Sequence, residues 1–381
     1  MSLFAFFLGV LVAYGGLQVY FARKLEAAFP GARRVHWAVG AFLVLMIWGP
    51  FLLRALDRFD VVGAARPFGA ITYLWCALVL WFATYAVAAD LWNLLVRIAA
   101  AAFPAASCLH VSPRRAFVAV AALVGLSTVW GFLEAESLRV REIHLPNPYF
   151  DPGASALRIV QISDVHLSPY TLRHRVRQLV DRIREINPDL IVSTGDLVDP
   201  GIARERAYAG LWEGLRPPLG KYAVLGNHEF YTGLDAALSF HREAGFRLLR
   251  EQAARVTPAL TLAGVDDPAG GYMGAVSLAR EARALDPAPG DSFVVLLKHQ
   301  PVVDPRSLGC FDLQLSGHTH GGQIFPFGLA IRFLYPFESG LHALGKRSLL
   351  YVTRGAGTWG PPLRFLAPPE ITLIVLTPPA R

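Results

Sequence analysis

Charge and cysteine are both scarce in this chain. Asp, Glu, Lys and Arg make up 17% of its 381 residues, against about a quarter in ordinary soluble domains. Hydrophobic residues reach 54% and mean hydropathy is positive, so part of the chain is expected in lipid. Three scattered cysteines, Cys76, Cys108 and Cys310, exclude a disulfide framework and a cysteine zinc site. No internal repeat or low-complexity tract is present. The formal charge of +7 is uneven: ten Lys/Arg and five Asp/Glu fall in residues 1–134. The basic excess therefore belongs largely to the flanks of apolar segments and does not point to nucleic acid.

Four apolar segments fill the amino-terminal third: Leu3–Phe21, Val35–Leu53, Phe68–Ala89 and Ala116–Leu133. Each is near the ~20 residues that cross a bilayer. They lack the polar stripe of a soluble amphipathic helix, and Trp37, Trp48, Trp75, Trp81 and Trp130 sit in them, several near the ends, as interfacial anchors do. The first segment has neither a basic leader nor a small-residue cleavage site, so it does not read as a removed signal peptide. Residues 1–134 are expected to form four transmembrane helices. Lys/Arg number seven in the first and third loops (Arg23, Lys24, Arg33, Arg34, Arg97, Arg114, Arg115) against three in the second (Arg54, Arg58, Arg66). Under the positive-inside rule this multi-pass arrangement puts everything after Leu133 on the outer, extracytoplasmic side. Asp90, which ends the third run, reads as a helix-end residue.

Residues 135–156 are polar and read as a linker. Beyond them short apolar runs alternate with amphipathic stretches. Leu157–Ser163, Leu190–Thr194, Tyr222–Leu225, Phe293–Leu297 and Leu313–Leu315 are expected strands, as are Thr261–Gly264, Leu349–Thr353 and Ile371–Leu376. Leu172–Ile186 is a helix, stopped by Asn187-Pro188. Strand and helix alternate early and strands dominate late. Residues 157–381 are thus expected to form one α+β domain, an αββα sandwich of two mixed β-sheets flanked by helices.

The early strands end in residues that bind metals. The first runs into Asp164-Val165-His166, whose side chains at i and i+2 leave a strand on one face. The next runs into Gly195-Asp196 with Asp199 beyond, and the third into Gly226-Asn227-His228-Glu229. Two later ones run into His299 and into Gly317-His318-Thr319-His320. Any one of these reads equally as a turn or helix cap. Five strand ends offering Asp, His, Asp, Asn, His, His and His are hard to obtain from turn chemistry alone. Seven oxygen and nitrogen donors exceed one tetrahedral zinc and suit two hard or borderline cations.

This order of motifs, D-x-H, G-D-x-x-D, G-N-H-E, a single His and G-H-x-H, resembles the calcineurin-like metallophosphoesterase superfamily over about residues 157–376. The resemblance implies a hydrolase that uses two divalent metal ions (Mn, Fe or Zn) and a metal-bridging hydroxide to open phosphoester bonds. It implies Asp164, His166 and His320 on one metal, Asn227, His299 and His318 on the other, and Asp196 between them. His228 corresponds to the histidine that donates to the phosphate or leaving group, and Asp199 to the acid that orients it. Gln323, in the Gly-Gly-Gln after His320, is similar to membrane-associated bacterial phosphodiesterases. Apolar segments ahead of such a domain resemble transmembrane metallophosphoesterase proteins.

Substrate is less sharply written. Ile324–Phe337, with Phe325, Phe327, Phe333, Tyr335 and Phe337, reads either as hairpin packing that completes the core or as an apolar wall facing a lipid tail or the bilayer. Arg332, Arg354 and Arg364 read as solvated or salt-bridged surface residues, with phosphate contact as the alternative, and Asp266-Asp267 as a turn before Pro268, with a further acidic site as the alternative. The expected activity is a membrane-anchored phosphodiesterase whose partners are a phosphoester, with a lipid-linked one among the candidates, and membrane lipids. The alternatives are a phosphatase or pyrophosphate hydrolase of a lipid-linked or nucleotide-sugar precursor, and a non-catalytic membrane scaffold or sensor.

Overall fold

A computed structural model describes residues 3–59, 62–202, 207–271, 279–286 and 290–379. The chain divides into two units, Met1–Phe132 with Gly360–Leu363, and Leu133–Trp359 with Arg364–Arg381.

The first unit is helical: α1 (Leu3–Ala28), α2 (Arg33–Arg58), α3 (Val62–Ala102) and α4, which runs from Pro113 and ends at Glu136. Among the described residues three helical stretches are long and apolar enough to cross a membrane: Arg33–Leu56, Ala65–Ala102 and Pro113–Glu136. They cover the second, third and fourth expected segments. The first, Leu3–Phe21, begins in a part of α1 whose side chains lie outside the described residues. Phe21, Phe82 and Phe117 meet edge-on or tilted, with centroids 4.6 to 6.0 Å apart. Outward positions such as Trp37, Leu95, Ile98, Leu126 and Val129 are exposed, which suits a lipid surround better than water. Asp90 does not end a helix. It lies inside α3, where Lys24 pairs with it and the Tyr20 hydroxyl donates to it at 2.6 Å, because α3 continues through the apolar run that follows.

The second unit is the expected two-sheet sandwich. One sheet is built from β1 (Arg139–Pro146), β2 (Leu157–Ile162), β3 (Leu190–Ser193), β4 (Lys221–Ala223), β5 (Arg247–Leu248) and β12 (Glu370–Thr377), in the order β1-β12-β2-β3-β4-β5. The other is built from β6 (Gln252–Thr257), β7 (Leu260–Gly264), β8 (Phe293–Leu297), β9 (Leu313–Ser316), β10 (Gly340–Gly345) and β11 (Ser348–Val352), in the order β10-β11-β9-β8-β7-β6. Both are mixed: β2, β3 and β4 run parallel while β12 opposes β2, and β7, β8 and β9 run parallel between antiparallel edges.

Period-two alternation of side chains splits each strand between layers. Ile159, Leu190, Val192, Val295, Leu297, Leu313, Leu315 and Ile374 fill the space between the sheets. Val160, Ile162, Ile191, Leu373 and Val375 face the opposite way. There they meet α5 (Arg173–Ile186), α6 (Ala207–Glu213) and α8 (Leu234–Glu243) through Leu179, Ile183, Trp212 and Phe240. Two shorter helices complete the series, α7 (Asn227–Thr232) and α9 (Ala279–Leu285). A last one, α10 (Phe327–Leu334), follows β9.

Two stretches depart from expectation. Within the 135–156 linker, residues 139–146 form strand β1, paired in parallel with β12. Ile143 and Leu145 turn inward, while the exposed polar Arg141, Glu142 and His144 disguise this edge strand as a tether. Ile324–Phe337 is no hairpin. It contains α10, which buries none of its residues.

His241 in α8 is fully buried, its Nδ1 bonded to the Ala237 carbonyl at 2.9 Å, and its Nε2 has no hydrogen-bond partner among the described residues. Burial pushes its pKa down to about 4. The fold thus holds the neutral ring, and the unfolded chain takes up the proton first. His241 stabilisation is complete above pH 6.5 and is lost as pH falls toward 4, by about 3 kcal/mol in all. Denaturant titrations of the full chain at pH 7 and pH 4 are expected to lose less stability for His241→Leu than for wild type. An identical acid loss in both proteins would contradict the assignment.

Candidate metal centre

The C-terminal edges of β2, β3, β4, β8 and β9 converge. Pairing continues past the formal strands: Asp164 N donates to Gly195 O and His166 N to Asp196 O, each at 3.0 Å. The two loops therefore travel together to the same point. Five residues there, Asp164, His166, Asp196, His318 and His320, hold φ between +52° and +72°. That left-handed region is uncommon for non-glycine residues, and each instance costs of order 1–3 kcal/mol. The fold spends this strain turning side chains inward. Glycine makes room beside them. A Cβ on Gly226 would sit on the Asp196 carboxylate, and one on Gly317 on the Ser163 hydroxyl and the Asp164 carboxylate.

Every residue expected at the site lies in this cluster. Asp164, His166 and His320 offer donor atoms within 4.8 Å of one another, as do Asp196, His299 and His318. His166, Asp196 and His228 form a third such group. Asp196 Oδ2 stands 3.1 Å from His299 Nε2 and 3.9 Å from His166 Nε2, so one carboxylate faces both trios. Asn227 Oδ1 lies 3.1 Å from both His299 Nε2 and His318 Nδ1. His166 Nε2 and His320 Nε2 face each other at 3.1 Å. Buried imidazole nitrogens and carboxylate oxygens turned toward one another, with no cysteine among them, fit divalent cations of the hard or borderline kind.

Asp199 occupies a position the sequence only half discloses. Its Oδ1 lies 2.9 Å from His166 Nδ1 and 2.6 Å from His228 Nδ1. A carboxylate only accepts, so both rings carry their proton on Nδ1 at these contacts. His166 Nε2 is then the ring atom turned into the cluster, 3.1 Å from His320 Nε2, and Asp199 orients two histidines, not one. Against the opposing effect of burial, the two histidines hold the Asp199 carboxyl well below the usual range. Burial lowers the His228 pKa, but the Asp196 charge and the Asp199 contact outweigh it and push it up to about 9. Burial and the His299 charge push His318 down to about 3, so its ring is neutral. Tyr231 and Trp359 flank His228 edge-on, with centroids 5.3 and 5.9 Å away.

Three contributors escape the sequence reading. Glu229, completely buried, accepts from Gly226 N (2.7 Å), Asp196 N (2.9 Å), Leu197 N (2.7 Å) and Val198 N (3.2 Å). It thereby ties the β3 and β4 loops together. Burial and the Asp196 charge push its carboxyl up to about 7, against N–H donors that favour the anion. Its signals in the sequence were its place in the G-N-H-E motif, which gave it no role, and its position three residues into α7, as in a capping box. Arg364 is buried, not solvated. It donates to the carbonyls of Gly357 (2.9 and 2.5 Å), Arg354 (2.8 Å), His320 (3.1 Å) and Ala367 (3.1 Å), and burial lowers its pKa to about 10. Tyr335 places its hydroxyl 2.8 Å from His318 Nε2.

Glu229→Gln puts an amide N–H₂ against backbone N–H groups. The expected loss is about 3 kcal/mol of stability, with bound metal falling alongside, although Glu229 belongs to neither trio. Melting curves and metal analysis of the purified variant check this, and wild-type values in both would contradict it.

The calcineurin-like phosphoesterase family model matches residues 157–322. The chain is 38% identical over 259 residues to an uncharacterized metallophosphoesterase of Aquifex aeolicus, covering 68% of this chain and 97% of the relative. It is 32% identical over 266 residues to a transmembrane protein with metallophosphoesterase domain from Danio rerio, covering 67% and 61% respectively. Among solved structures, calcineurin-like phosphoesterase YfkN from Bacillus subtilis aligns over 57% of this chain and 81% of its own, with 17% identity and a TM-score of 0.33. The chain belongs to the calcineurin-like metallophosphoesterase family and is a metal-dependent phosphoesterase.

Proposed function

We propose that this protein is a membrane-anchored phosphodiesterase that works with two divalent cations. The observation that carries the reading is the position of Asp196 Oδ2 between the trio of Asp164, His166 and His320 and the set of Asn227, His299 and His318. Held there, the cations would generate a hydroxide near neutral pH and offset charge on the phosphoryl oxygens. His228 stands outside both sets. With its Nδ1 proton fixed on Asp199, Nε2 is the atom that presents a proton to the departing alkoxide. The exposed rings of Tyr231 and Trp359 beside it supply apolar walls for the organic group of an ester, which favours a diester over a bare monoester.

The lipid reading rests on α10. Phe327, Leu329, Phe333 and Leu334 are exposed, Phe333 to 91%. The helix ends at Tyr335, which contacts His318. An unsatisfied apolar helix leading straight to the site, in a chain with candidate membrane spans, supports a lipid-linked phosphoester presented at a bilayer surface. The loop charges favour the outer side of the membrane for residues 133–381, which protease added to intact spheroplasts would test.

Full-length protein loaded with Mn, Fe or Zn is expected to hydrolyse bis-p-nitrophenyl phosphate faster than p-nitrophenyl phosphate. His228→Asn is expected to lose 10²- to 10⁴-fold in kcat, most with poor alkoxide leaving groups, while keeping its metal. Turnover of neither ester with any of the three metals would instead favour a scaffold. Phe333→Asp is expected to raise KM several-fold for a phospholipid diester in mixed micelles and to leave the soluble ester unchanged. Equal effects on both substrates would remove the lipid reading.

A further inference from the structure

We infer that Asp267, Gln300 and Tyr335 form a positioning relay that sets which nitrogen of His318 is free to bind metal. This inference rests on the proposed place of His318 in the metal centre. It starts from a group that only accepts. Asp267 is buried; its backbone N–H is bonded to Leu225 O at 3.0 Å, and its Oδ1 receives Ala269 N at 2.8 Å. Its Oδ2 lies 2.9 Å from Gln300 Nε2, which fixes the amide with nitrogen toward the carboxylate and oxygen away. That oxygen, Oε1, lies 3.2 Å from the Tyr335 hydroxyl and accepts its proton. The hydroxyl oxygen then has only lone pairs left for His318 Nε2, 2.8 Å away. A neutral imidazole has one N–H and one lone pair. With the N–H spent on Tyr335, the lone pair falls on Nδ1, the atom that lies 3.1 Å from both Asn227 Oδ1 and His299 Nε2.

Direction is what makes the chain informative. Were the Tyr335 hydroxyl to turn and donate to Nε2, the proton of His318 would move to Nδ1 and block the cluster. Gln300 prevents that turn by taking the hydroxyl proton, and Asp267 prevents Gln300 from reversing. The three residues come from the turn after β7, the turn after β8 and the end of α10. Asp267, read from sequence as part of a plain turn, is the acceptor on which the sequence of donors ends. Tyr335 also packs against the His318 ring, with centroids 5.1 Å apart, so the relay fixes ring orientation as well as tautomer. Partners of this kind typically change metal affinity by about 10–100-fold.

The test is a Mn(II) titration of the full-length protein in detergent, following free Mn(II) by electron paramagnetic resonance. Tyr335→Phe and Gln300→Leu are each expected to weaken one of two Mn equivalents by about 10–100-fold and to leave the other unchanged. Gln300→Leu keeps the tyrosine but also removes the donor on the buried Asp267 Oδ2, so its metal-free melting temperature is expected to fall, whereas that of Tyr335→Phe stays near wild type. Histidine-selective ¹⁵N spectra of the metal-free wild type are expected to show His318 protonated on Nε2. Wild-type Mn affinity in both variants, or a His318 proton on Nδ1, would overturn the relay. A wild-type chain that binds no Mn(II), Fe or Zn would instead overturn the metal centre on which the relay rests.

Discussion

Carboxylates crowd together inside this protein, and that crowding governs the rest of the second unit. Asp164, Asp196 and Glu229 are buried and Asp199 nearly so, all within one loop cluster. Taking an anion out of water is costly unless charge and hydrogen bonds replace the lost solvent. Each acid meets that demand differently. Glu229 takes four backbone N–H groups, Asp199 takes two imidazoles, and Asp164 accepts His318 N at 3.0 Å. Asp196 receives His228 N at 2.8 Å and faces His299. What remains is a set of inward imidazole nitrogens and carboxylate oxygens whose own demand is for divalent cations.

Backbone geometry serves the same end. Two parallel strand sets bring five loop starts to one edge, yet an extended chain would send alternate side chains away from it. Left-handed φ at Asp164, His166, Asp196, His318 and His320 redirects them. Such strain persists only where surrounding structure over-determines it. Here the core between the sheets, the Gln161 bridge to Ser316 O and Thr194 Oγ1 (both 3.1 Å), and the Arg364 cage of carbonyls supply that constraint. Strand packing thus holds the loops, and the loops hold the donors.

Most of the sandwich was legible because its strands are β-branched runs bounded by glycine, proline or aspartate. Phe293–Leu297 forms a strand over the bounds expected, and Leu157–Ser163 shortens by one residue. The edge strand β1 was hidden because exposed polar residues interrupt its apolar ones: Arg141, Glu142 and His144 mask Ile143 and Leu145. α10 was hidden for a different reason. A run of phenylalanines reads equally as core or as exposed helix, and only packing separates the two.

The sequence by itself determined the chemistry on offer: which donor types stand at which strand ends, in an order that names the family, behind apolar helices. Tertiary structure decided how those donors are aimed. His166 and His320 meet across 154 residues of chain, Asp199 serves two histidines, Arg364 is caged by main-chain carbonyls, and Tyr335 reaches His318. None of this could be read along the chain, because hydrogen bonds are selective over a few tenths of an ångström and over direction. A linear pattern carries neither distances between remote residues nor the sense in which a proton points.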